Sequence, residues 1–457
     1  MQNLQSTETI CALSTAPGMG AIAIIRVSGS QSFSIVEAIF SKSIADKTSH
    51  TAHFGKIVDG DDIIDEVLVT IFKNPGSFTG EDSAEIACHG SVFIQKSILE
   101  LLLKHGARLA KPGEFSMRAF MNGKMDLSQT EAVADLIAST SKAQHNVAIN
   151  QMRGGFSNDL KALRQKLMDF ASLVELELDF SEEDVEFADR SQLEALVKDI
   201  KTAISHLIQS FKLGNVIKNG VPVAIVGIPN SGKSTLLNTL LNEDKAIVSD
   251  IAGTTRDVIE DEILIDDITY RFIDTAGIRK TTDEIENMGI KRAFEQVKKA
   301  EIILLIVDLV GTTAADIIKD IDLFRGQNIQ SYQTLIPVFN KIDQVDLAEF
   351  KELESKGVFL SAKFKTNKED LMSALSNAVG TIKVEDQTIV TNVRHFEALT
   401  KSNEFIERVE SGLQSQIPGD LLAMDIRQTL YHLGEITGSV SNDELLGNIF
   451  ANFCIGK

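Results

Sequence analysis

The spacing of apolar residues changes along the chain, and each spacing predicts a different kind of element. Up to about residue 120, short apolar runs such as Ala21–Val27 and Val67–Phe72 stand between turn glycines, which is typical of strands in an α+β domain. After Ser128, apolar residues recur every three or four positions, which predicts long amphipathic helices. The two clearest stripes are Leu160, Leu163, Leu167, Phe170 and Val174, and then Leu193, Val197, Ile200, Ile204, Leu207 and Phe211.

Polar residues at fixed spacing suggest where these helices begin and end. Ser128–Glu131, Ser191–Glu194 and Ser441–Glu444 each fit the capping box, in which a hydroxyl and a carboxylate satisfy the first backbone N–H groups of a helix. Gly214 is a plausible helix end, because glycine is common just past the last turn.

From Val221 to about residue 380, apolar strands alternate with helical stretches, which is the pattern of an α/β domain. Helices then return at Val393–Glu410, Asp420–Leu433 and Asn442–Phe453. Helices on both sides of the α/β block predict that the block is inserted into one helical domain. We therefore expect four segments: an α+β domain at 1–122, helical segments at 123–218 and 381–457, and the α/β domain at 219–380.

Composition and charge narrow the function. The 457 residues are 43% hydrophobic and 24% charged, as in ordinary globular proteins, and 65 acidic against 45 basic residues give a net charge of −20. A general basic field for nucleic acid is thereby excluded. The three cysteines are far apart, which argues against a cysteine-rich zinc site. We see neither a membrane-spanning run nor a basic signal-peptide start, so we expect a cytoplasmic protein.

The strongest chemical signal is a phosphate-binding loop at residues 227–234. Its sequence, GIPNSGKS, fits G-x-x-x-x-G-K-[ST] and stands between the apolar strand Val223–Val226 and a helix that begins near Ser234. Loop N–H groups can wrap phosphate oxygens, Lys233 can neutralise charge on the β- and γ-phosphates, and the Ser234 hydroxyl can bind Mg²⁺.

Three further motifs follow in order, each after a predicted strand. Asp274–Gly277 (DTAG) offers a carboxylate for Mg²⁺ and an N–H for the γ-phosphate, and Ser361–Lys363 (SAK) can support a base. Asn340–Asp343 (NKID) ends in a carboxylate that can accept from N1 and the 2-amino group of guanine, a group that adenine lacks. The set predicts a GTP-binding domain.

Many GTPases place a water-orienting glutamine after the DxxG glycine, but here that position is Ile278. An aliphatic side chain cannot orient water, so polar help must come from elsewhere. The nearby candidates are Asn230, the segment Ser249–Asp257 and the acidic run Asp283–Glu286.

Together these features resemble the MnmE (TrmE) family of tRNA-modification GTPases. The resemblance rests on the loop with Asn230, the GTTRD segment at 253–257, the apolar residue after DTAG and the C-terminal CIGK at 454–457, and it extends over essentially the whole chain. It implies an N-terminal domain that binds tetrahydrofolate and dimerises, and a Ras-like P-loop GTPase domain inserted into an all-α domain.

The resemblance also implies an activity and partners. Family members act with the flavoprotein MnmG, which carries FAD, and place an aminomethyl-type group, such as carboxymethylaminomethyl, on C5 of the wobble uridine (position 34) of certain tRNAs. The one-carbon unit comes from a tetrahydrofolate derivative. The net charge of −20 is compatible with this, since the partner can supply much of the tRNA-binding surface.

Motif by motif, the resemblance assigns roles to particular residues. The resemblance implies that Ser234 and Thr255 bind Mg²⁺ and that Glu286 orients the attacking water. The implied K⁺ ligands are Asn230, Ser249, Ile251 and Thr254. GTP contacts fall to Asn230, Ser231, Gly232, Lys233, Ser234, Thr235, Ser249, Asp250, Ile251, Ala252, Gly253, Thr254, Thr255, Asp274, Thr275, Ala276, Gly277, Asn340, Lys341, Asp343, Ser361, Ala362 and Lys363.

The implied folate site comprises Arg26, Glu85, Lys124 and Lys457. Cationic groups suit folate carboxylates, and a carboxylate can accept from pterin N–H groups. Cys454 is open to two interpretations: a small apolar anchor of the tail, or a thiolate nucleophile close to the one-carbon unit.

Two other functions share part of this pattern. A ribosome-assembly GTPase would carry the same nucleotide motifs, although such proteins usually have a basic RNA-binding appendage, whereas this chain ends in acidic amphipathic helices. A folate-dependent aminomethyltransferase with a regulatory GTP-binding domain is the other alternative.

Overall fold

We describe a computed structural model that covers residues 8–179, 190–244, 261–273, 297–330, 332–379, 388–415, 417–440, 443–451, 453 and 456. The chain divides into two compact units. The first unit comprises Met1–Ala138, Ala148–His206 and Arg394–Lys457, and the second comprises Ser139–Val147 and Leu207–Val393.

The first unit opens with a six-stranded sheet in the order β3-β4-β5-β2-β1-β6. Neighbouring strands are antiparallel except for the parallel pair of β1 and β6. Alternate side chains of β2, Ala23, Ile25 and Val27, face a core that includes Ile98 and Leu102 of the covering helix α2. The strands are β1 Ile10–Leu13, β2 Ile22–Ser28, β3 Thr51–Asp59, β4 Asp62–Phe72, β5 Ser83–His89 and β6 Arg108–Leu109; the helices are α1 Ser32–Glu37, α2 Val92–Lys104 and α3 Glu114–Met121.

Helices complete the first unit: α4 Leu127–Ala138, α6 Gly155–Asp179, α11 Val393–Gln414, α12 Gly419–Thr437 and α13 Asp443–Ala451. All five apolar residues of the first predicted stripe, on α6, are buried. The helix α5 Lys142–Met152 and the helix α7 Arg190–Asn219 each begin in one unit and end in the other.

A buried ion network ties α4 to α11 within the first unit. The carboxylate of Glu131 accepts from Arg394 Nη2 and pairs with His395 Nε2, each at 2.7 Å. Arg394 also donates to the carbonyl of Ile436 at the end of α12. Burial raises the pKa of Glu131, but the charges and hydrogen bonds of His395 and Arg394 outweigh burial and lower it to about 2.

Because Glu131 is committed to that network, the capping box predicted at Ser128–Glu131 is wrong. The box forms two residues earlier: Asp126 Oδ1 accepts from the Gln129 N–H and Gln129 Oε1 accepts from the Asp126 N–H, both at 3.0 Å. Asp126 is a strong helix cap in its own right, so it takes the position.

The second unit is built on a six-stranded sheet in the order β12-β11-β10-β7-β9-β8. All neighbouring pairs are parallel except the β8–β9 hairpin. The strands are β7 Val221–Val226, β8 Asp261–Ile265, β9 Ile268–Phe272, β10 Ile302–Asp308, β11 Thr334–Asn340 and β12 Val358–Leu360; the helices are α8 Lys233–Asp244, α9 Ala314–Asn328 and α10 Lys368–Val379, with 3₁₀ turns at Ile342–Gln344 and Leu347–Leu353.

Gly214 does not end its helix, contrary to the prediction, because α7 continues to Asn219. The glycine instead allows the backbone at Val390 to pack closely against α7. A Cβ at Gly214 would lie 2.0 Å from the carbonyl oxygen of Val390, and the Val390 N–H donates to Ser210 Oγ at 3.0 Å. The segment that leaves the second unit therefore packs directly on the helix that enters it.

Candidate functional site

The phosphate-binding loop lies between β7 and the first residue of α8, as the motif predicts. Its two glycines are required by close contacts. A Cβ at Gly232 would lie 2.1 Å from Asn340 Nδ2, and a Cβ at Gly227 would lie 2.5 Å from the carbonyl oxygen of Ile306. Any larger residue would push the loop away from β10 and β11, so the sequence of the loop follows from its packing.

Lys233, the first residue of α8, folds back over this loop. Its Nζ donates to the carbonyl oxygens of Gly227 at 2.9 Å and Ile228 at 2.8 Å. Burial lowers the pKa of the ammonium group. Ser234 and Thr235 follow in the first turn of α8, where backbone N–H groups and the helix dipole favour an anion.

Asn230 stands exposed in the same loop with a left-handed backbone, φ +62°. Asparagine tolerates this region better than most residues because its short polar side chain can bond locally. The position therefore presents a side-chain amide at the loop surface, where its oxygen can meet a cation and its NH2 group can donate to a phosphate.

The base-binding motifs are joined to the phosphate loop through Asn340. Its Nδ2 donates to the carbonyl of Ser231 at 2.8 Å, and its Oδ1 accepts from the Ala362 N–H at 3.0 Å. One side chain thus links the loop after β7, the end of β11 and the segment after β12. The ends of three parallel strands are brought together at one edge of the sheet, where α/β proteins bind ligands.

Asp343 is held ready to accept hydrogen bonds. Ser361 Oγ donates to Asp343 Oδ1 at 2.6 Å, and this bond is the largest cause of the lowered pKa of the carboxyl group. Lys363 adds a smaller favourable charge effect. The carboxylate is exposed and fixed in direction by Ser361, which suits a pair of donors such as N1–H and the 2-amino group of guanine.

Sequence reasoning missed one residue beside this site. Asp308, the last residue of β10, forms an ion pair with Lys341 of the NKID motif. The signal that could have found it is its place at the carboxyl end of a strand between the phosphate loop and the base motif.

Several predicted nucleotide and metal contacts lie outside the described residues. They are Ser249, Asp250, Ile251, Ala252, Gly253, Thr254, Thr255, Asp274, Thr275, Ala276, Gly277 and Glu286. Their assignments stay predictions, as do those of Cys454 and Lys457 near the C-terminus. No cluster of three or more His, Cys, Asp or Glu side chains that could hold a metal occurs among the described residues.

A second constellation lies in the first unit, on the sheet face opposite α2. Arg26 of β2 and Glu85 of β5 are direct partners in the antiparallel register. Both Nε and Nη2 of Arg26 donate to Glu85 Oε1, at 3.0 and 2.8 Å. The guanidinium carbon stands 5.3 Å from the ring centre of Phe78 and 5.7 Å from that of Phe115, so two aromatic rings hold the cation in place.

The structure brings two of the predicted folate ligands together and leaves a third apart. Lys124 donates from Nζ to the Pro75 carbonyl at 2.8 Å, and among the described residues it forms no ion pair with Glu85. The C-terminal tail approaches the same sheet. Ser14 Oγ donates to the Gly456 carbonyl at 3.2 Å, just beyond β1, the strand that pairs with β2.

The tail is anchored upstream as well. Phe450 of α13 is buried in a cluster with Leu127, against which Phe453 also packs. The rings of Phe450 and Phe453 meet edge to face, 5.3 Å apart. Residues 453 and 456 are therefore both fixed against the first unit, on either side of the undescribed Cys454.

Comparison with known proteins completes the picture of the chain. The profile of the MnmE helical domain matches residues 127–454, well over half of the chain, and the profile of the N-terminus of the GTP-binding protein TrmE matches residues 9–124. The chain belongs to the MnmE (TrmE) family. The resemblance found in the sequence and the predicted fold class are confirmed, while the four segment boundaries stay predictions.

Full-length MnmE relatives agree with this assignment. The chain is 54% identical to "tRNA modification GTPase MnmE" of Cytophaga hutchinsonii, over 99% of this chain and 98% of the relative. It is 52% identical to the proteins of the same name from Flavobacterium psychrophilum and Bacteroides fragilis, over 98% of this chain and 99% of each relative. This MnmE-family chain is a GTP-hydrolysing enzyme.

Likeness among solved structures is weaker. The G domain of the T. maritima FeoB iron transporter aligns with 35% of this chain and 98% of its own length, at 21% identity and a TM-score of 0.24. That likeness supports no inference about function. Within the described part of this MnmE-family chain, no helix is both long and apolar enough to cross a membrane.

Proposed function

We propose that this chain is a K⁺-dependent GTPase that works with an MnmG-type flavoprotein to modify C5 of the wobble uridine, position 34, of certain tRNAs. The observation that carries the proposal is the bonding of Asn340 to both the phosphate loop and the SAK segment, in a chain that matches tRNA-modification GTPases from end to end. The product would be an aminomethyl-type uridine such as carboxymethylaminomethyluridine.

The motif residues suit a nucleoside triphosphate with Mg²⁺. Lys233 already donates to two loop carbonyls, and the same ammonium can turn to β- and γ-phosphate oxygens when a nucleotide fills the loop. The hydroxyls of Ser234 and Thr255 are the hard oxygen donors that Mg²⁺ prefers, and bound Mg²⁺ supplies charge neutralisation at the phosphates. Asp343, fixed by Ser361, selects guanine.

The K⁺ proposal starts from Ile278, which cannot take the place of a water-orienting glutamine. The exposed amide of Asn230 offers one oxygen ligand at the surface of the phosphate loop, and oxygens of Ser249, Ile251 and Thr254 would complete the set. A monovalent cation held there supplies positive charge beside the phosphates. The Glu286 carboxylate would accept a hydrogen bond from a water molecule that bridges it to the attacking water.

The folate proposal rests on how Arg26 and Glu85 are held. Two guanidinium N–H groups share one oxygen, Oε1, while Oε2 of Glu85 and Nη1 of Arg26 bond to no other described residue. An acceptor and a donor thus remain side by side on the sheet face. Such a pair fits a flat ligand edge with N–H and C=O groups, such as a pterin. Lys124 and Lys457 would meet the glutamate carboxylates.

The position of the tail supports a role for its last residues at this site. The Gly456 carbonyl accepts from Ser14 just beyond β1, the strand that pairs with the one that carries Arg26. We propose that Cys454 contributes to one-carbon transfer there, with the apolar-anchor interpretation as the alternative. A thiolate would be needed for nucleophilic attack on C6 of the uridine.

The remaining parts of the proposal concern assembly. We propose a homodimer formed through the N-terminal domain, located in the cytoplasm, with FAD carried only by the MnmG-type partner. The acidic chain, of net charge −20, would rely on that partner for much of the contact with tRNA phosphates.

Analysis of tRNA from cells with and without this gene tests the function directly. Digested tRNA should contain the C5-modified wobble uridine in wild-type cells and lack it in deleted cells. A copy with Asp343→Asn should fail to restore it. Persistence of the modification in the deleted strain would overturn the proposal. Accumulation of immature ribosomal particles with normal tRNA would favour a ribosome-assembly GTPase.

The Cys454→Ser variant separates the interpretations of the tail. GTP hydrolysis should stay near wild type, because the nucleotide motifs belong to the other unit. Loss of tRNA modification with normal folate binding would support a chemical role for the thiol. Full modification would end the nucleophile proposal, whereas deletion of residues 454–457 should still impair folate binding. If the uridine in this strain is modified without GTP, the result would instead favour a folate-dependent aminomethyltransferase with a regulatory GTP-binding domain.

A further inference from the structure

The ion pair between Asp308 and Lys341 is a contact at the nucleotide edge that no motif accounts for. Asp308 Oδ2 pairs with Lys341 Nζ, while Asp308 Oδ1 accepts from the Val310 N–H at 3.0 Å. Both side chains are more than two-thirds buried, at 17% and 27% exposure. The carboxylate is therefore fixed from two sides, and the ammonium group is fixed with it.

The order of the strands shows where this pair lies. The phosphate loop follows β7, the base motif follows β11, and β10 runs between these two strands, with Asp308 and Asn340 directly in register. Neighbouring strands are about 4.8 Å apart. A nucleotide with its phosphates after β7 and its base at Asp343 must pass over the end of β10. The stem of Lys341, drawn from β11 towards β10, lies on that path.

The backbone at Lys341 is also held in an uncommon state, with φ +67°. A left-handed backbone is strained for a lysine and persists only where the surroundings hold it. Asn340 is held by Ser231 and Ala362, and Asp343 is held by Ser361. In the same way, the ion pair with Asp308 fixes the side chain of Lys341.

We propose that Asp308 is a positioning residue of the guanosine site, which holds the Lys341 side chain across the end of β10 so that its hydrocarbon stem borders the bound nucleoside. Asp308 itself touches Lys341 rather than the base. Its effect should therefore pass entirely through Lys341 and should concern affinity rather than the hydrolysis step.

A double-mutant cycle on the full chain tests this. The dissociation constant of GDP carrying a fluorescent ribose label is measured for wild type, Asp308→Asn, Lys341→Met and the double variant. We expect each single variant to bind about tenfold more weakly, the loss typical of a charge-assisted contact. The double variant should bind no more weakly than Lys341→Met. Asp322→Asn, on the exposed side of α9, is the matched control and should leave affinity unchanged.

Two further readouts separate positioning from damage to the fold. At saturating GTP, Asp308→Asn should keep kcat while KM rises, and the preference for GTP over ITP, which Asp343 sets, should not change. The conservative Asp308→Glu should recover most of the affinity. If Asp308→Asn does not fold, the cycle is completed with Asp308→Glu, whose smaller loss should vanish on the Lys341→Met background.

Unchanged affinity in Asp308→Asn would overturn the proposal. Additive losses in the double variant, or a fall in kcat, would do the same, because they would show an effect that does not pass through Lys341. Failure of the wild-type chain to bind GTP would instead contradict the GTPase assignment, so the two failures are distinguishable.

Discussion

In the sheet of the second unit, the polar side chains of the candidate site stand where parallel strands end, whereas in the sheet of the first unit they stand in the middle of antiparallel strands. Gly227, Asp308 and Asn340 mark three strand ends at one edge. Arg26 and Glu85 are instead cross-strand partners, and both side chains are largely buried. A loop follows each strand end, and functional loops have sequence motifs that can be recognised. In the sequence, a charged residue in the middle of a strand looks like any exposed residue.

The two sites also differ in how firmly their groups are held before a ligand arrives. Around the nucleotide edge, Asn340 and Asp343 each bond to residues of another motif. On the face of the other sheet, the Arg26–Glu85 pair is clamped by two phenyl rings, but Lys124 bonds elsewhere. Within the described residues, the nucleotide motifs are thus bonded to one another, whereas only Arg26 and Glu85 of the predicted folate ligands are.

The largest expected effect concerns the loop surface at Asn230. GTP hydrolysis should be faster in K⁺ than in Na⁺ by a factor on the order of 10³, the lower end of what arginine fingers achieve. Turnover is measured in matched chloride salts. Asn230→Ala and Asn230→Gly should both lose the response. The glycine variant is the control for the left-handed backbone, φ +62°, which alanine tolerates poorly. Equal rates in the two salts would contradict the K⁺ site.

Next in size is the selectivity of the base site. Asp343→Asn removes an acceptor for two guanine donors and leaves unpaired donors in contact, so GTP affinity should fall by about 100-fold or more. Titration with GTP and with XTP measures the change, and XTP should gain relative to GTP because its C2 carbonyl accepts from an amide. Retention of GTP affinity would show that the base lies elsewhere.

The two units should differ in how strongly acid destabilises them. Burial raises the pKa of Glu114, but hydrogen bonds from Arg108, the Lys111 N–H and Arg118 outweigh it and lower the pKa from 4.5 to about 2. Glu131 is lowered to about 2 as well. Each carboxylate thus contributes stability above pH 4.5, on the order of 3 kcal/mol, that is lost as the pH falls towards 2.

Because both of these carboxylates belong to the first unit, acid should open that unit before the second. Mapping of pepsin cleavage sites at pH 4 and pH 3 measures the order, and first cuts in the sheet of the second unit would contradict it. Glu114→Gln should lower stability at pH 7 and flatten its dependence on pH, because the titrating group is gone.

The smallest expected effect is at the sheet face of the first unit. Arg26→Gln removes one charge-assisted contact, so a tetrahydrofolate derivative should bind about tenfold more weakly. Calorimetric titration measures the affinity, and GTP hydrolysis should be unchanged. Lys104→Gln, on the helix that covers the opposite face, is the matched control. An equal loss in both variants would remove Arg26 from the site.

From the sequence, the residues of the nucleotide edge are easier to predict than the Arg26–Glu85 pair, for a physical reason. Phosphate loops need glycines at fixed positions, and the contacts of Gly227 and Gly232 show why. Arg26 and Glu85 need only a register between distant strands, which local spacing does not reveal, so the resemblance alone pointed to them. Asp308 was missed because a carboxylate at a strand end has no motif of its own.

Helix signals fail where a stronger local competitor or a tertiary contact decides. At the start of α4, Asp126 with Gln129 displaces the box expected at Ser128. At Gly214 the glycine serves the approach of Val390 rather than a helix end. The helical period itself is set by burial of a whole face, and for that reason the long stripe on α6 was predicted correctly.

The contact of Gly214 and Ser210 with Val390 has a consequence for how such a chain could arise. The points where the chain enters and leaves the second unit lie side by side. For the rest of the polypeptide, the whole insertion therefore acts as a loop whose two ends are already held together. Folding of the rest then costs little additional loop-closure entropy. Joining residues near 210 and 390 by a short linker should yield a shortened chain that still folds, and a GTPase module could have entered an older helical protein by the reverse step.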